Sequence, residues 1–281
     1  MSPIVVELVT YPVKGCAGIS LPTAVLTPAG LAHDRSFMVI GTDGGFRSQR
    51  RDPLLAIIQP SVSADGTRLD LSMPGLEPVG IDVDSTGPRR DVELFGAPFQ
   101  GIDQGDTVAE WLSAALGAPS RLVRVPPEHA RVTGGLTPGT AGYADGAAVL
   151  MLSLSSLDLL NQRITDSGGR PVPMGRFRPN IIVGGWDEPH TEDGVERVTI
   201  GGGELAHGKV AIRCAVTLVD QGSGVPSGPE PLRTLADYRR MEGGGVGFGT
   251  TFAVLRTGGL AVGDDVIVTR RLDRVVAAQR S

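Results

Sequence analysis

Cysteine is scarce in this chain: Cys16 and Cys214 are the only two among 281 residues. Two cysteines cannot form a disulfide framework, an iron–sulfur cluster or a Cys-x-x-Cys zinc site. The four histidines do not lie at metal-ligand spacing, and no His-Glu-x-x-His sequence occurs. The sequence therefore gives no support to a zinc hydrolase.

Several other signals are absent. No apolar run reaches the length of about 18 residues that a membrane span needs, and the first residues lack the basic segment and cleavage site of a secretion signal. There is no Gly-x-Ser-x-Gly elbow and no Walker loop. We therefore expect a cytoplasmic protein with no membrane partner.

The charge balance is slightly acidic. The net charge is -5, and hydrophobic and charged residues make up 41% and 20% of the chain. These values are typical of a soluble globular protein and argue against nucleic acid as a partner, but they do not forbid a small basic pocket. Lysine is nearly missing, because only Lys14 and Lys209 occur among 26 basic residues, which suits a bacterial GC-rich genome and makes the position of Lys14 notable.

Short apolar segments between glycines and prolines predict a mainly β protein of the α+β class. The predicted strands are 5–9, 37–40, 54–58, 181–183, 198–200, 210–212 and 266–269, with a hairpin turn at 43–45. Helices are predicted at 106–117, with a capping box from Thr107 to Glu110, after Ser153 or Ser155, and near 231–240. Many short strands favour barrels or strongly bent sheets over a doubly wound sheet.

A change in composition near residue 125 predicts a domain boundary. Pro126 and Pro127 precede a loose stretch, residues 128–146, that is rich in Gly, Thr and Pro. We therefore predict domains at 1–125 and 126–281. A loop this long is either mobile or lines a site.

Cys214 lies at the end of an apolar strand, directly after Arg213 and before a turn-rich loop. A cysteine beside an arginine can have a lowered pKa, and its thiolate is a soft ligand for redox-active metals. The alternative is a small buried residue of a core strand. Cys16 leaves a similar choice between a redox thiol and a packed strand end.

Cationic groups recur next to predicted strands, at Lys14, Arg35, Arg178 and Arg213. If they converge on one pocket they can bind a polyanionic ligand, because arginine grips phosphate through two parallel hydrogen bonds. Each one alone is more often a solvated surface charge, but Arg178 is less surface-like than the others because Pro179, Asn180 and a buried-looking strand follow it directly.

Ordered sequence blocks resemble the MOSC superfamily, in particular its two-part members with an N-terminal β-barrel domain, such as the amidoxime-reducing components and their bacterial relatives. The blocks span nearly the whole chain, and they are Tyr-Pro-Val-Lys-Gly-Cys from residue 11, Gly-Leu-Ala-His-Asp-Arg-Ser-Phe from 30, Arg-Phe-Arg-Pro-Asn-Ile from 176, Arg-Cys-Ala-Val-Thr-Leu-Val-Asp from 213, Glu-Pro-Leu-Arg-Thr-Leu from 230, Phe-Gly from 248 and Val-Gly-Asp from 262. The resemblance implies two β-barrel-like domains and a molybdenum cofactor, a single pterin dithiolene that carries the metal.

The resemblance also implies roles for individual residues. Cys214 would ligate the metal, and the residues that would contact the anionic cofactor are Lys14, Gly15, Arg35, Arg178, Asn180 and Arg213. Many relatives have serine where this chain has Gly15 and Ile212, so backbone N–H groups would have to replace two hydroxyls. Asp220 is a candidate proton donor or, as part of a turn-forming Asp-Gln-Gly-Ser-Gly sequence, a structural partner.

The implied function is reduction of N-hydroxylated compounds such as amidoximes, hydroxylamines or N-hydroxylated bases. This chain lacks the cysteines of a ferredoxin domain, so electrons would come from a separate protein of the ferredoxin, flavin reductase or cytochrome type. One alternative is a molybdenum-cofactor or sulfur carrier working with a pyridoxal-phosphate-dependent cysteine desulfurase. The other is a barrel that binds a different anion or a protein, with Cys214 structural. The oligomeric state is left open.

Overall fold

The computed structural model describes residues 2–273, and most of its regular structure is strand. The elements of the first half are β1 Ile4–Thr10, β2 Val13–Lys14, β3 Ile19–Leu21, β4 Thr23–Thr27, β5 Gly30–Leu31, β6 Phe37–Ile40, β7 Gln59–Val62, β8 Arg68–Met73, β9 Leu76–Asp82, β10 Arg89–Leu94, β11 Ala97–Asp103, α1 Asp106–Leu116 and β12 Arg121–Arg124. Those of the second half are β13 Val132–Thr133, β14 Gly139–Thr140, β15 Val149–Ser153, α2 Leu154–Asp166, β16 Ile181–Gly184, β17 Val195–Ile200, β18 Gly203–Arg213, α3 Leu232–Tyr238, β19 Val246–Arg256, β20 Gly258–Ala261 and β21 Val266–Arg271. The predicted α+β class is confirmed. Residues 274–281, into which the predicted second domain extends, lie outside the described residues.

The largest sheet has eight strands in the order β21-β17-β18-β19-β15-β16-β1-β3. Only β15 and β16 pair in parallel, and the other neighbours are antiparallel. The first strand of the chain pairs with β16, with Leu8 opposite Ile181. The two ends of the sequence therefore share one sheet, while the predicted domain boundary near residue 125 stays a prediction.

A second sheet has five strands in the order β10-β11-β12-β6-β2 and contains the parallel pair β2 and β6. Three smaller sheets are β20-β4-β5, β7-β8-β9 and β13-β14. Over residues 2–273 none of these sheets closes on itself, so the predicted barrel-like domains are built from open sheets. In the same residues no helix is long and apolar enough to cross a bilayer.

The two largest of the five apolar clusters in residues 2–273 hold the main sheets in place. One forms on the large sheet and includes Leu8, Met151 and Phe252, and the other packs around α1 and includes Val13 and Leu112. Successive side chains of a strand point to opposite faces. Val13 therefore faces the core around α1, while the next residue, Lys14, points to the other side, where a cavity lies.

The local predictions have mixed outcomes. The three helices are confirmed, and the Ser153 hydroxyl caps α2 by accepting from the backbone N–H of Ser156 at 3.2 Å. The capping box of α1 is wrong, because Gly105 is the N-cap and Thr107 already lies inside the helix. The strand predicted at 54–58 is also wrong: Pro53–Ile57 is a 3₁₀ helix. A short apolar run does not distinguish a strand from a buried helical turn, and Pro53 favours the turn because its φ is fixed.

Candidate functional site

A cavity of about 270 Å³ lies where the two halves of the chain meet. Its lining includes every predicted cofactor and metal residue: Lys14, Gly15, Arg35, Arg178, Asn180, Arg213 and Cys214. Ala144, Asp145 and Gly146 also line it, so the loose stretch at 128–146 contributes to the site. Asp220 is the one predicted site residue that is not among the lining residues described.

The cavity is strongly cationic although the chain carries a net charge of -5. Among the described residues its lining contains a single carboxylate, that of Asp145, and seven cationic side chains: Lys14, Arg35, Arg47, Arg50, Arg178, Lys209 and Arg213. Like charges gathered in one concave site repel one another and attract an anionic ligand. The prediction that scattered basic residues converge on one pocket is confirmed.

Lys14 is buried and held in a fixed position. Its Nζ donates to the carbonyl of Tyr143 at 2.9 Å and pairs with the Asp145 carboxylate, and it lies 5.2 Å and 4.9 Å from the ring centroids of Phe46 and Phe95. Burial lowers the pKa of Lys14, while Asp145 opposes that shift. The ammonium is thus a fixed cation whose one carboxylate partner is itself 69% exposed at the cavity.

Arg35 and Arg178 are placed by unusual backbone conformations and by one aromatic ring. Their φ angles are 44° and 56°, in the left-handed region that turns the chain sharply. Each guanidinium carbon lies 4.3 Å from the ring centroid of Tyr11, a cation–π distance. Burial raises the pKa of Tyr11 to about 12, although both arginines act to lower it.

Asn180 ties these residues to the large sheet. Its Oδ1 accepts from Arg35 at 3.1 Å and from the backbone N–H of Leu150 at 3.1 Å, and its Nδ2 donates to the Val9 carbonyl at 3.1 Å and to Asp34 at 3.0 Å. Asn180 is 1% exposed, and its side-chain amide makes all four of these hydrogen bonds within the protein. Its role is therefore to hold Arg35 in position.

Arg213 and Cys214 stand at the end of β18. Arg213 donates to the carbonyl of Phe177 at 2.7 Å, and its Nε is buried with no acceptor in residues 2–273. Burial lowers the pKa of Arg213 to about 10, against the opposite effect of Cys214. Cys214 is exposed and lines the cavity, so the alternative of a buried core residue is wrong.

Asp220 has the contacts of a turn residue. Its Oδ1 accepts from the backbone N–H groups of Gly222 and Ser223 at 3.2 and 3.0 Å and from the Ser223 hydroxyl at 2.9 Å, and its Oδ2 accepts from Arg176 at 3.3 Å. These bonds hold the loop after Cys214. They agree with the structural alternative for Asp220, which is not among the described lining residues of the cavity.

Two glutamines join the halves of the chain, and no sequence motif marks either of them. Gln49 donates to the Gly15 carbonyl at 2.6 Å, and its amide exchanges hydrogen bonds of 3.1 and 2.9 Å with the amide of Gln221. Gln221 also accepts from Arg178 at 3.1 Å. Lys209 also lines the cavity and was missed as a site residue. The scarcity of lysine, which drew attention to Lys14, applies equally to Lys209.

Cys16 lies in the second core and not in the cavity lining. It is fully buried, and burial raises the pKa of its thiol to about 12. Its carbonyl accepts from Arg178 at 2.6 Å. These facts agree with a packed residue that helps to hold Arg178.

The chemistry of the cavity is that of a soft, single-ligand site within an anion-binding pocket. The Cys214 sulfur is accessible to a ligand in the cavity, and cationic side chains line the same cavity. The buried Nε groups of Arg213 and Arg47 are N–H donors without an acceptor in the described chain, as expected where a ligand supplies the acceptor. Gly15, with φ +86°, brings its backbone close to Leu55, which a Cβ would approach to 3.2 Å.

Comparison with known proteins gives matches in both halves. The family described as "MOSC N-terminal beta barrel domain" matches residues 2–119, and the "MOSC domain" matches residues 138–267. Mitochondrial amidoxime reducing component 2 of Rattus norvegicus is 33% identical over 278 residues, which cover 91% of this chain and 80% of that protein. Component 1 of Homo sapiens is 32% identical over 283 residues, covering 93% and 82%.

A molybdenum cofactor sulfurase of Danio rerio is 31% identical over 265 residues. The match covers 88% of this chain but 31% of the sulfurase. The chain thus spans most of the amidoxime-reducing components and under a third of the sulfurase.

Proposed function

This chain belongs to the MOSC family, and we propose that it is a molybdenum-cofactor oxidoreductase that reduces N-hydroxylated compounds. The observation that carries the proposal is the exposed Cys214 in a cavity lined by Lys14, Arg35, Arg178 and Arg213. The relatives that match this chain over most of both lengths are amidoxime-reducing components.

The residues present fit a pterin cofactor that carries a metal and a phosphate. Cys214 would be the soft ligand, Arg213 and Lys14 would bind the anionic group, and Arg35 and Arg178 would add positive charge from positions fixed by Tyr11. When bound, the cofactor supplies the two-electron and oxygen-accepting chemistry. The protein's part is to hold the cofactor at these residues.

The overall reaction is R–NHOH + 2 H⁺ + 2 e⁻ → R–NH₂ + H₂O, in which the N–O bond breaks and its oxygen leaves as water. The electrons would come from a separate electron-transfer protein, of the ferredoxin, flavin reductase or cytochrome type. The described residues contain no group of three or more metal-ligating side chains that could hold a relay centre. A cytoplasmic location stays a prediction from the sequence.

The first experiment is molybdenum content per chain by elemental mass spectrometry, after expression in a host that makes the cofactor. We expect near-stoichiometric metal in the wild type, loss of the metal in Cys214→Ala, and retention in Cys16→Ala, which removes the other, buried cysteine. No metal in folded wild type, or equal metal in both single variants, would contradict the assignment.

The second experiment is reduction of benzamidoxime to benzamidine with a chemically reduced viologen as electron donor. Turnover by the loaded wild type supports the oxidoreductase. The carrier alternative, which the partial match to the sulfurase favours, predicts bound molybdenum without turnover, together with transfer of cofactor or sulfur from a cysteine desulfurase.

A further inference from the structure

Two of the seven cationic side chains of the cavity have no partner within residues 2–273. Lys14, Arg35, Arg47, Arg178 and Arg213 each donate at least one hydrogen bond to the protein. Arg50 and Lys209 are exposed and make no side-chain hydrogen bond or ion pair in the described chain. Their donors are therefore available to a ligand, whereas those of the other five are largely used in holding the site.

The backbones beneath these two free cations are held firmly. Arg50 follows Gln49, whose amide is bonded to Gly15 and to Gln221. The backbone N–H of Lys209 donates to the Thr251 hydroxyl at 3.3 Å, and the same hydroxyl donates to the Lys209 carbonyl at 2.9 Å. In each case the backbone is held by hydrogen bonds while the charged side chain is unpaired. Arg50 belongs to the first half of the chain and Lys209 to the second.

Lys209 and Arg213 both belong to β18 and both line the cavity, as do Ala211 and Ile212 between them. Cys214 follows Lys209 by five residues of extended chain, which corresponds to about 16 Å. A ligand that contacts both the Lys209 ammonium and the space next to Cys214 must therefore carry its anionic group some distance from the group that lies beside Cys214.

Among the described lining residues of the cavity, no carboxylate is left to pair with Arg50 or Lys209. The one carboxylate among the described lining residues, Asp145, is paired with Lys14. The net charge of the chain is -5, so its surface is not basic in general. Two unpaired cations on one cavity are therefore a local feature of that cavity.

We propose that Arg50 and Lys209 form a subsite for an anionic substituent of the substrate. The preferred substrates are then N-hydroxylated compounds with a phosphate or a carboxylate some distance from the N–OH group, such as an N-hydroxylated nucleotide. This proposal rests on the proposed function. The chemistry at the N–O bond is unchanged, and the substituent is bound without being altered.

The test compares N4-hydroxycytidine with its 5′-monophosphate as substrates of the molybdenum-loaded enzyme, with reduced viologen as donor so that no protein docking is involved. We expect kcat/KM to be about tenfold higher for the monophosphate, mainly through KM, as charge-assisted hydrogen bonds to phosphate would give. In Arg50→Gln and Lys209→Gln the preference falls, while kcat/KM for the neutral nucleoside is unchanged. Benzamidoxime and 4-carboxybenzamidoxime form the second pair of substrates. A preference for the carboxylated compound as well would indicate a subsite for any anionic group, whereas a preference for the monophosphate alone would indicate a phosphate subsite.

Arg170→Gln is the matched control, because Arg170 is exposed, has no partner in the described chain and does not line the cavity. Equal kcat/KM for both members of each pair, or an equal loss in Arg170→Gln, would overturn the subsite. Loss of activity on the neutral nucleoside in Lys209→Gln would assign that residue to the cofactor instead.

Binding of the products gives an answer that does not depend on turnover. Calorimetry on the loaded enzyme should show tighter binding of cytidine 5′-monophosphate than of cytidine, and Lys209→Gln should abolish the difference. If the wild type reduces neither substrate, the proposed function fails while this measurement still decides the subsite. Equal affinity of the wild type for cytidine and cytidine 5′-monophosphate would overturn the proposed subsite.

Discussion

At the scale of single residues, the two cysteines show how position decides chemistry. Cys214 ends a strand and lines the cavity, whereas Cys16 is fully buried in the core around α1. Burial in an apolar environment disfavours the thiolate and raises the pKa of Cys16 to about 12. The same side chain is therefore available as a ligand at one position and inert at the other.

We predict that cofactor-free protein treated with iodoacetamide at pH 8 takes up one adduct per chain, on Cys214. A buried thiol with a pKa of about 12 presents almost no thiolate at this pH. Intact mass and peptide mapping measure the result. Cys214→Ala should take up none, and unfolding in guanidinium should expose Cys16. An adduct on Cys16 in the native protein would contradict its assignment as a packed residue.

At the scale of elements, the turn of residues 176–180 and the loop after Cys214 are held together by arginines. Arg176 is 4% exposed and donates to the Thr217 carbonyl at 3.2 Å and to Asp220 at 3.3 Å. Thr217 in turn donates from its N–H and its hydroxyl to the Cys214 carbonyl, both at 3.0 Å. The candidate metal ligand is thus positioned through a chain of hydrogen bonds that begins at Arg176.

We predict that Arg176→Met loosens this loop. The variant leaves the buried Thr217 carbonyl without its donor, a loss of about 1–3 kcal/mol in the free energy of unfolding. Hydrogen exchange should rise in residues 214–224 and stay unchanged in β6. Arg170→Met is the control, since Arg170 is exposed and unpaired in residues 2–273. Unchanged exchange in the loop would mean that Arg176 does not hold it.

A second element with a measurable property is the turn at His190, which precedes a 3₁₀ helix at Thr191–Gly194 and packs against Tyr238 of α3 and Phe248 of β19. Both ring nitrogens of His190 are buried without a partner in the described chain. Burial, helped by Arg239 and Arg163 and opposed by Asp193, lowers the pKa of His190 from 6.5 to about 4. The fold therefore favours the neutral ring.

This shift predicts a pH dependence of stability. Because the folded pKa lies below the unfolded value, the contribution of His190 is fully present above pH 6.5 and is lost as the pH falls towards about 4. In His190→Asn, which tolerates the left-handed backbone at φ 61°, the fall in unfolding free energy between pH 6.5 and 4 should be smaller. Denaturant unfolding at several pH values measures this slope. Parallel wild-type and variant curves would exclude the role of His190.

At the scale of the whole molecule, the N-terminal strand completes the sheet of the C-terminal half. β1 pairs with β16 along four residue pairs, and its Val5 and Leu8 are fully buried in the core of the large sheet. Removing β1 would expose this apolar face and leave the edge of β16 unpaired.

We therefore predict that a fragment of residues 126–281 does not fold on its own, whereas the full chain does. The fragment should show weak near-ultraviolet circular dichroism, no cooperative thermal transition and a tendency to aggregate. Adding a synthetic peptide of residues 2–31 should restore part of the cooperative transition. A fragment that unfolds cooperatively without the peptide would show that β1 is dispensable.

Most of the site could be predicted from sequence because its residues lie in contiguous blocks. Lys14 and Gly15, Arg178 and Asn180, and Arg213 and Cys214 are near neighbours in the chain, so local pattern and family resemblance both find them. Gln49, Asp145 and Gln221 were missed because each acts through a partner far away in sequence, and a pairing of that kind leaves no mark in either local segment.

The sequence by itself determined the β-rich class, the helices and the residue types at the cavity, because strand and helix periodicity and turn residues act locally. Only the tertiary structure decided that Leu55 lies in a 3₁₀ helix, that β1 joins the sheet of the other half, and which cations stay free. These outcomes depend on burial and on hydrogen bonds between distant segments. No sequence pattern singles out Arg50, and only the contacts in space distinguish its free guanidinium from that of Arg178, which is bonded to Gln221 and to the Cys16 carbonyl.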